Sequence, residues 1–99
     1  MLRYVLLGTH NSEWLSRQPE RSNIVAAQVA KLGIKILSSN YTQGPFDFAD
    51  VAEAPDAETM LALSIWYKKS GFGEMMTLPV FQRPQFEAIG RRIGVQETK

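Results

Sequence analysis

Apolar and polar positions run through this chain in two alternating rhythms. Arg3 to Gly8 is a short apolar run rich in Val, Leu and Tyr, and it predicts a first strand. The polar stretch Thr9-His10-Asn11-Ser12 follows, and Asn11 or Ser12 is placed to cap a short helical turn carrying Trp14 and Leu15. From Pro19 the period lengthens. Proline suits a first helical turn, and Val25, Val29 and Leu32 fall at i, i+4 and i+7, which predicts a helix from about Glu20 to Leu32. Ala26, Ala27 and Ala30 let it lie close to what it covers, and Gly33 supplies its C-terminal turn.

Lys35 to Thr42 predicts a second strand, Gly44-Pro45 a turn, and Phe48 to Ala54 a third strand paired antiparallel to the second. Asp56 is placed to cap a helix from about Ala57 to Ser70, with Lys68 and Lys69 in its last turn and Gly71 ending it. Glu74 to Phe81 predicts a fourth strand, at an edge or bulged because of Pro79. Arg83 to Arg92 predicts a short helix whose Phe86 and Ile89 fold back onto the body, with a frayed tail from Gly94. The order β-α-β-β-α-β predicts an α+β, ferredoxin-like domain spanning residues 1–99, with a four-stranded antiparallel sheet and its helices on one face.

Such a sheet leaves its second face bare, and that face should then read as polar. Here both faces of the first strand are apolar, Val5 and Leu7 on one and Tyr4 and Leu6 on the other. The fourth strand sets Met76, Leu78 and Val80 against Met75, Thr77 and Phe81, while the second passes from Ile34 and Ile36 to Ser38 and Asn40. Apolar residues on both faces call for a second covering layer, and a two-fold related copy of the same sheet supplies one. In the second helix, Ala57, Met60, Leu61 and Ile65 are expected to face the sheet, with Leu63 and Trp66 pointing away as a contact surface.

Composition narrows the classes of function. The formal net charge is +1 and the basic residues are scattered, so no stripe suited to nucleic acid is present. No apolar run approaches the roughly 20 residues that cross a bilayer, so no membrane partner is expected. The absence of cysteine excludes disulfides and thiol chemistry and fits a reducing cytoplasm. One histidine cannot build a His-rich metal site, and neither a phosphate-cradling glycine loop nor a Ser-His-Asp signature is present. No cofactor is called for.

Several short motifs carry a resemblance by their order and spacing. They are Arg21 and Leu32-Gly33, then Gly44-Pro45-Phe46-Asp47-Phe48, then Glu53-Ala54-Pro55-Asp56, and finally Thr77-Leu78, Phe81 and Phe86. From Tyr4 to about Phe86 the chain resembles the GYD-domain family of small bacterial proteins. Phe46 stands where that family usually has Tyr, and Asp50 where a small or apolar residue is usual. The resemblance implies a dimeric α+β barrel. It implies little chemistry, since activities of the wider barrel superfamily would follow from fold alone.

The candidate chemistry rests on a few residues. His10, in the loop after the first strand, is a candidate general base or haem ligand, or else an ordinary loop histidine or local cap. Strand parity puts Asp50 with Phe48 and Ala52. There it becomes a desolvated base, an interface ion pair, or a solvated carboxylate, according to what it faces. Asp47 is placed to accept hydrogen bonds from nearby turn amides or, alternatively, to bind a ligand or abstract a proton, and Glu53 to meet the following helix or an arginine such as Arg21. Asn40, Tyr41, Phe48, Trp66, Met75 and Thr77 would together make a mostly apolar pocket with polar anchors, the common form of a small-ligand site. Three readings follow: a homo-oligomer binding a small, partly apolar molecule; a cofactor-free oxygenase or isomerase with His10 or Asp50 as base; and a structural assembly unit.

Overall fold

A computed structural model of the chain describes residues 1–94. Strand β1 (Leu2–Gly8) leads through a 3-10 turn (Ser12–Trp14) to helix α1 (Gln18–Lys31). Strands β2 (Lys35–Tyr41) and β3 (Phe48–Ala54) form a hairpin, and α2 (Ala57–Lys69), β4 (Met75–Pro79) and α3 (Arg83–Arg92) complete the order. The strands lie in the order β2-β3-β1-β4 and every neighbouring pair is antiparallel, the ferredoxin-like arrangement. Pro79 sits on β4, an edge strand, where its missing N–H costs no ladder bond. The tail beyond Gly94 lies outside the described residues.

Local chemistry explains where the elements begin and end. Asp56 accepts hydrogen bonds from the Thr59 backbone amide (2.8 Å) and hydroxyl (2.6 Å), so α2 starts at Ala57 as expected. Asn11 caps the 3-10 turn by position only; its side chain instead donates to the Gly71 carbonyl at 2.9 Å. Gly73 permits the close approach that holds the β1–α1 loop: a Cβ there would collide with the Thr9 carbonyl. Thr9 N–H and Asn11 N–H donate to the Glu74 and Phe72 carbonyls, at 2.9 and 2.8 Å.

Tyr4, Leu6, Phe48, Ala52 and Ala54 line the covered face of the sheet and are buried with Val29 of α1 and with Met60, Leu63 and Tyr67 of α2. The inward stripe of α2 therefore differs from the expected one. Leu63 is fully buried, Trp66 is half-buried against Phe72, and Leu61 and Ile65 are exposed. Apolar residues surround this helix, so periodicity alone leaves two stripes open. The Asp56 cap and the packing of Tyr67 against Phe48 and Phe72 select Met60-Leu63-Tyr67.

Two further expectations are corrected. The β2–β3 register shifts between Ile36 and Ser38, so Leu37 is an extra residue and the alternation flips there. Ile36, Ser39 and Tyr41 stand opposite Ala52, Asp50 and Phe48 on the covered face, whereas Ser38 and Asn40 stand opposite Val51 and Ala49 on the open one. Helix α3 forms with its Gln82/Gln85 capping box but buries none of its residues. Phe86 is 70% exposed and Ile89 38%, so neither folds back onto the body.

Candidate functional site

The residues that converge come from the loop after β1 and from α1, β2, β3, α2 and β4. The loop after β1 carries His10, whose backbone amide donates to Asp47 Oδ2 at 2.7 Å. Asp47 N–H in turn donates to the Gly8 carbonyl at 2.7 Å. Asp47 therefore ties the end of β1 to the start of β3. It caps another chain segment rather than its own turn. Gly8 admits the Phe48 ring, which would overlap any Cβ placed there. The His10 ring stacks on Phe48 with centroids 5.3 Å apart and meets the edge of Tyr41 at 6.1 Å.

A polar relay runs from this histidine into the core. Arg21 Nε and Nη2 both donate to Gln18 Oε1, at 3.1 and 2.8 Å. That turns the amide nitrogen of Gln18 toward His10 Nδ1 at 3.3 Å. Neutral His10 thus accepts on Nδ1 and keeps its proton on Nε2, which is buried without a hydrogen-bond partner among the described residues. Burial, then the nearby Arg21 cation, lower the His10 pKa from its ordinary 6.5, against the pull of Asp47.

Arg21 lies on α1 and is only 7% exposed. A buried guanidinium is costly unless an anion meets it. Yet the ion pairs among the described residues join Arg3 to Glu53, Arg17 to Glu20, Lys68 to Glu74 and Arg83 to Glu87. Glu53 thus meets Arg3, not Arg21 or the α2 terminus. Arg21 also reaches the Tyr41 hydroxyl at 3.4 Å, a long contact.

Arg21 opens onto a cavity of about 160 Å³ between α1 and the covered face of the sheet. Val25, Val29, Ile36, Phe48 and Met75 supply apolar walls, and Ser22, Ser39, Tyr41, Asp50 and Tyr67 add polar groups. Asp50 accepts from the Asn40 backbone amide at 3.0 Å. Its pKa is nevertheless raised above the ordinary carboxylate value, because desolvation outweighs that bond, a Ser39 hydroxyl and the Arg21 charge. Tyr67 is 1% exposed and its hydroxyl has no hydrogen-bond partner among the described residues. Burial raises its pKa; Arg21 stands near enough to oppose that shift without a well-formed bond.

Of the residues singled out in the sequence, Tyr41, Phe48, Asp50 and Met75 line this cavity. His10 and Asp47 stand beside it, against Phe48 and the β1 loop. Asn40 is exposed and spends its side chain on Ser38 Oγ (2.8 Å) and the Ala49 carbonyl (3.1 Å). Trp66 packs on Phe72, and Thr77 pairs opposite Leu6; neither reaches the cavity wall. Gln18 and Tyr67 belong to the site without any motif to mark them. Tyr67 was legible as the i+4 neighbour of Leu63 and Gln18 as the polar residue three before Arg21. No group of three or more His, Asp or Glu side chains among the described residues could hold a metal ion. A second groove of about 520 Å³ lies between the start of β1 and the β4–α3 connection, but its charged pair, Arg3 and Glu53, is already joined.

The model of the GYD domain family matches residues 4–89, and the chain belongs to that family. It is 29% identical over 82 residues to a Thermus thermophilus protein named "Glutamine synthetase and cystathionine beta-lyase binding protein", covering 79% of this chain and 86% of that one. No solved structure gives a significant match. No helix among the described residues is long and apolar enough to cross a membrane.

Proposed function

We propose that this GYD-domain protein is a binding protein, a homodimer that holds a small, partly apolar molecule in the cavity between α1 and the sheet. The observation that carries this reading is the lining of that cavity. Apolar walls surround Arg21, Asp50 and the unpartnered Tyr67 hydroxyl, and such groups favour a ligand that completes their bonds.

The dimer rests on the opposite face. Val5, Leu7, Val51, Met76 and Leu78 share the open side of the sheet, and Met76 and Leu78 are exposed there. Apolar area withdrawn from water contributes about 25 cal/mol per Å², and a second copy of the sheet offers the matching surface. Phe86 and Ile89 of α3 and Ile93 just after it add further exposed apolar side chains.

Native mass spectrometry of protein purified gently from its host tests both parts. A dimer carrying a reproducible extra mass supports the reading. Bare monomers would remove it.

Two observations favour neighbouring readings. The name of the Thermus relative speaks for protein partners, for which the exposed stripe of α3 is a surface. The raised pKa of Asp50 speaks for a proton-abstracting enzyme, a cofactor-free oxygenase or isomerase. Turnover of the co-purified compound, lost in Asp50→Asn, would favour the enzyme. The cysteine-free composition leads us to propose a cytoplasmic location.

A further inference from the structure

The cavity holds one buried cation and one half-buried carboxylate that do not pair with each other. Arg21 and Asp50 both line it, and the ion pairs among the described residues include neither. Each is half of an unmade pair. A simple carboxylic acid would answer Arg21 but set a second carboxylate near Asp50. A simple amine would answer Asp50 but set a second cation near Arg21. A molecule carrying both charges satisfies both, and the unpartnered Tyr67 hydroxyl adds a donor for its carboxylate. Val25, Val29, Ile36, Phe48 and Met75 offer apolar surface for the rest of it.

We propose that the ligand is a small amino acid with an apolar side chain, its carboxylate held by Arg21 and Tyr67 and its ammonium by Asp50. This rests on the binding reading above and gives it a chemical class. The relay from Gln18 to Arg21 fixes the guanidinium before the ligand arrives, so little ordering is left to be done on binding.

Thermal unfolding of the intact protein is followed with each of the common L-amino acids. For the strongest stabiliser, the measurement is repeated with its des-amino acid and its decarboxylated amine. An apolar amino acid is expected to raise the Tm with concentration, and both truncated analogues to bind at least tenfold more weakly. Tyr67→Phe keeps the ring and the fold and is expected to weaken the amino acid roughly tenfold. Asp50→Asn is expected to weaken the amino acid but not the des-amino acid, a split that a merely structural role would not produce. Equal binding of the des-amino acid, or no stabilisation by any amino acid, overturns the proposal. A different compound found bound by native mass spectrometry would overturn this assignment while leaving the binding reading in place. Bare chains that nothing stabilises would remove both.

Discussion

The covered face of the sheet buries Tyr4, Leu6, Phe48 and Ala52 beneath two helices, yet it also carries Asp50, and the helices bring Arg21 and the Tyr67 hydroxyl to it. The open face carries Val5, Leu7, Val51, Met76 and Leu78, of which Met76 and Leu78 are exposed. Polar groups are thus found where water is excluded, and apolar ones where it is not. Folding alone favours neither arrangement: buried polar groups cost free energy unless they are paired, and exposed apolar ones gain nothing. The covered face leaves the Tyr67 hydroxyl without a hydrogen-bond partner among the described residues, and the open face leaves Met76 and Leu78 in water.

Four experiments test how the two faces differ. The largest effect is expected in the covered core. Leu63→Ala should cost about 3 kcal/mol in urea unfolding, whereas Leu61→Ala on the outer side of the same helix should cost about 0.5 kcal/mol. Equal costs would mean that the inward stripe of α2 is misassigned.

The open face comes next. Val51→Lys introduces a charge into the centre of the apolar surface and should weaken self-association at least tenfold, read by sedimentation. An unchanged sedimentation profile would show that the open face carries no self-association.

The third effect is a pH dependence. The folded-state pKa of Asp50 is raised, so its ionisation opposes folding; that part of the stability is present at acid pH and is lost as pH rises through its folded pKa. Asp50→Asn should therefore be more stable than wild type at neutral pH, with the difference fading toward acid. His10 acts oppositely. Its folded pKa lies below 6.5, so its contribution is present above that pH and is lost as pH falls through the lowered value. A His10→Phe variant should flatten the wild-type fall in stability over that window.

The smallest effect is on the apo fold of Tyr67→Phe. Removing a hydroxyl with no hydrogen-bond partner among the described residues should change stability by no more than about 0.5 kcal/mol, and in the favourable direction. A clear destabilisation would reveal a bond that this hydroxyl makes.

Much of the scaffold was legible in the residues. Strand β3 runs from Phe48 to Ala54 as read, α2 starts behind its Asp56 cap, and α3 spans Arg83–Arg92. These boundaries depend on turn and cap chemistry within a few neighbouring positions. The two-faced apolarity of β1 was visible for the same reason, since strand side chains alternate whatever lies above them. Asp50 was placed with Phe48 and Ala52 by that parity, and it stands on their face. Parity failed in β2, where one extra residue at Leu37 reverses the faces of everything after it. The amphipathic stripe of α3 was legible too, but not that it stays unpacked.

The elements and their order are written in local spacing and capping, and so were legible in the residues. The tertiary structure alone decided which side of α2 enters the core and that Arg21 and Asp50 meet at one cavity. Those residues are 29 positions apart on different elements, and only the packing of α1 across the sheet sets them near each other. Their chemistry depends on burial and on neighbours, which linear spacing does not encode.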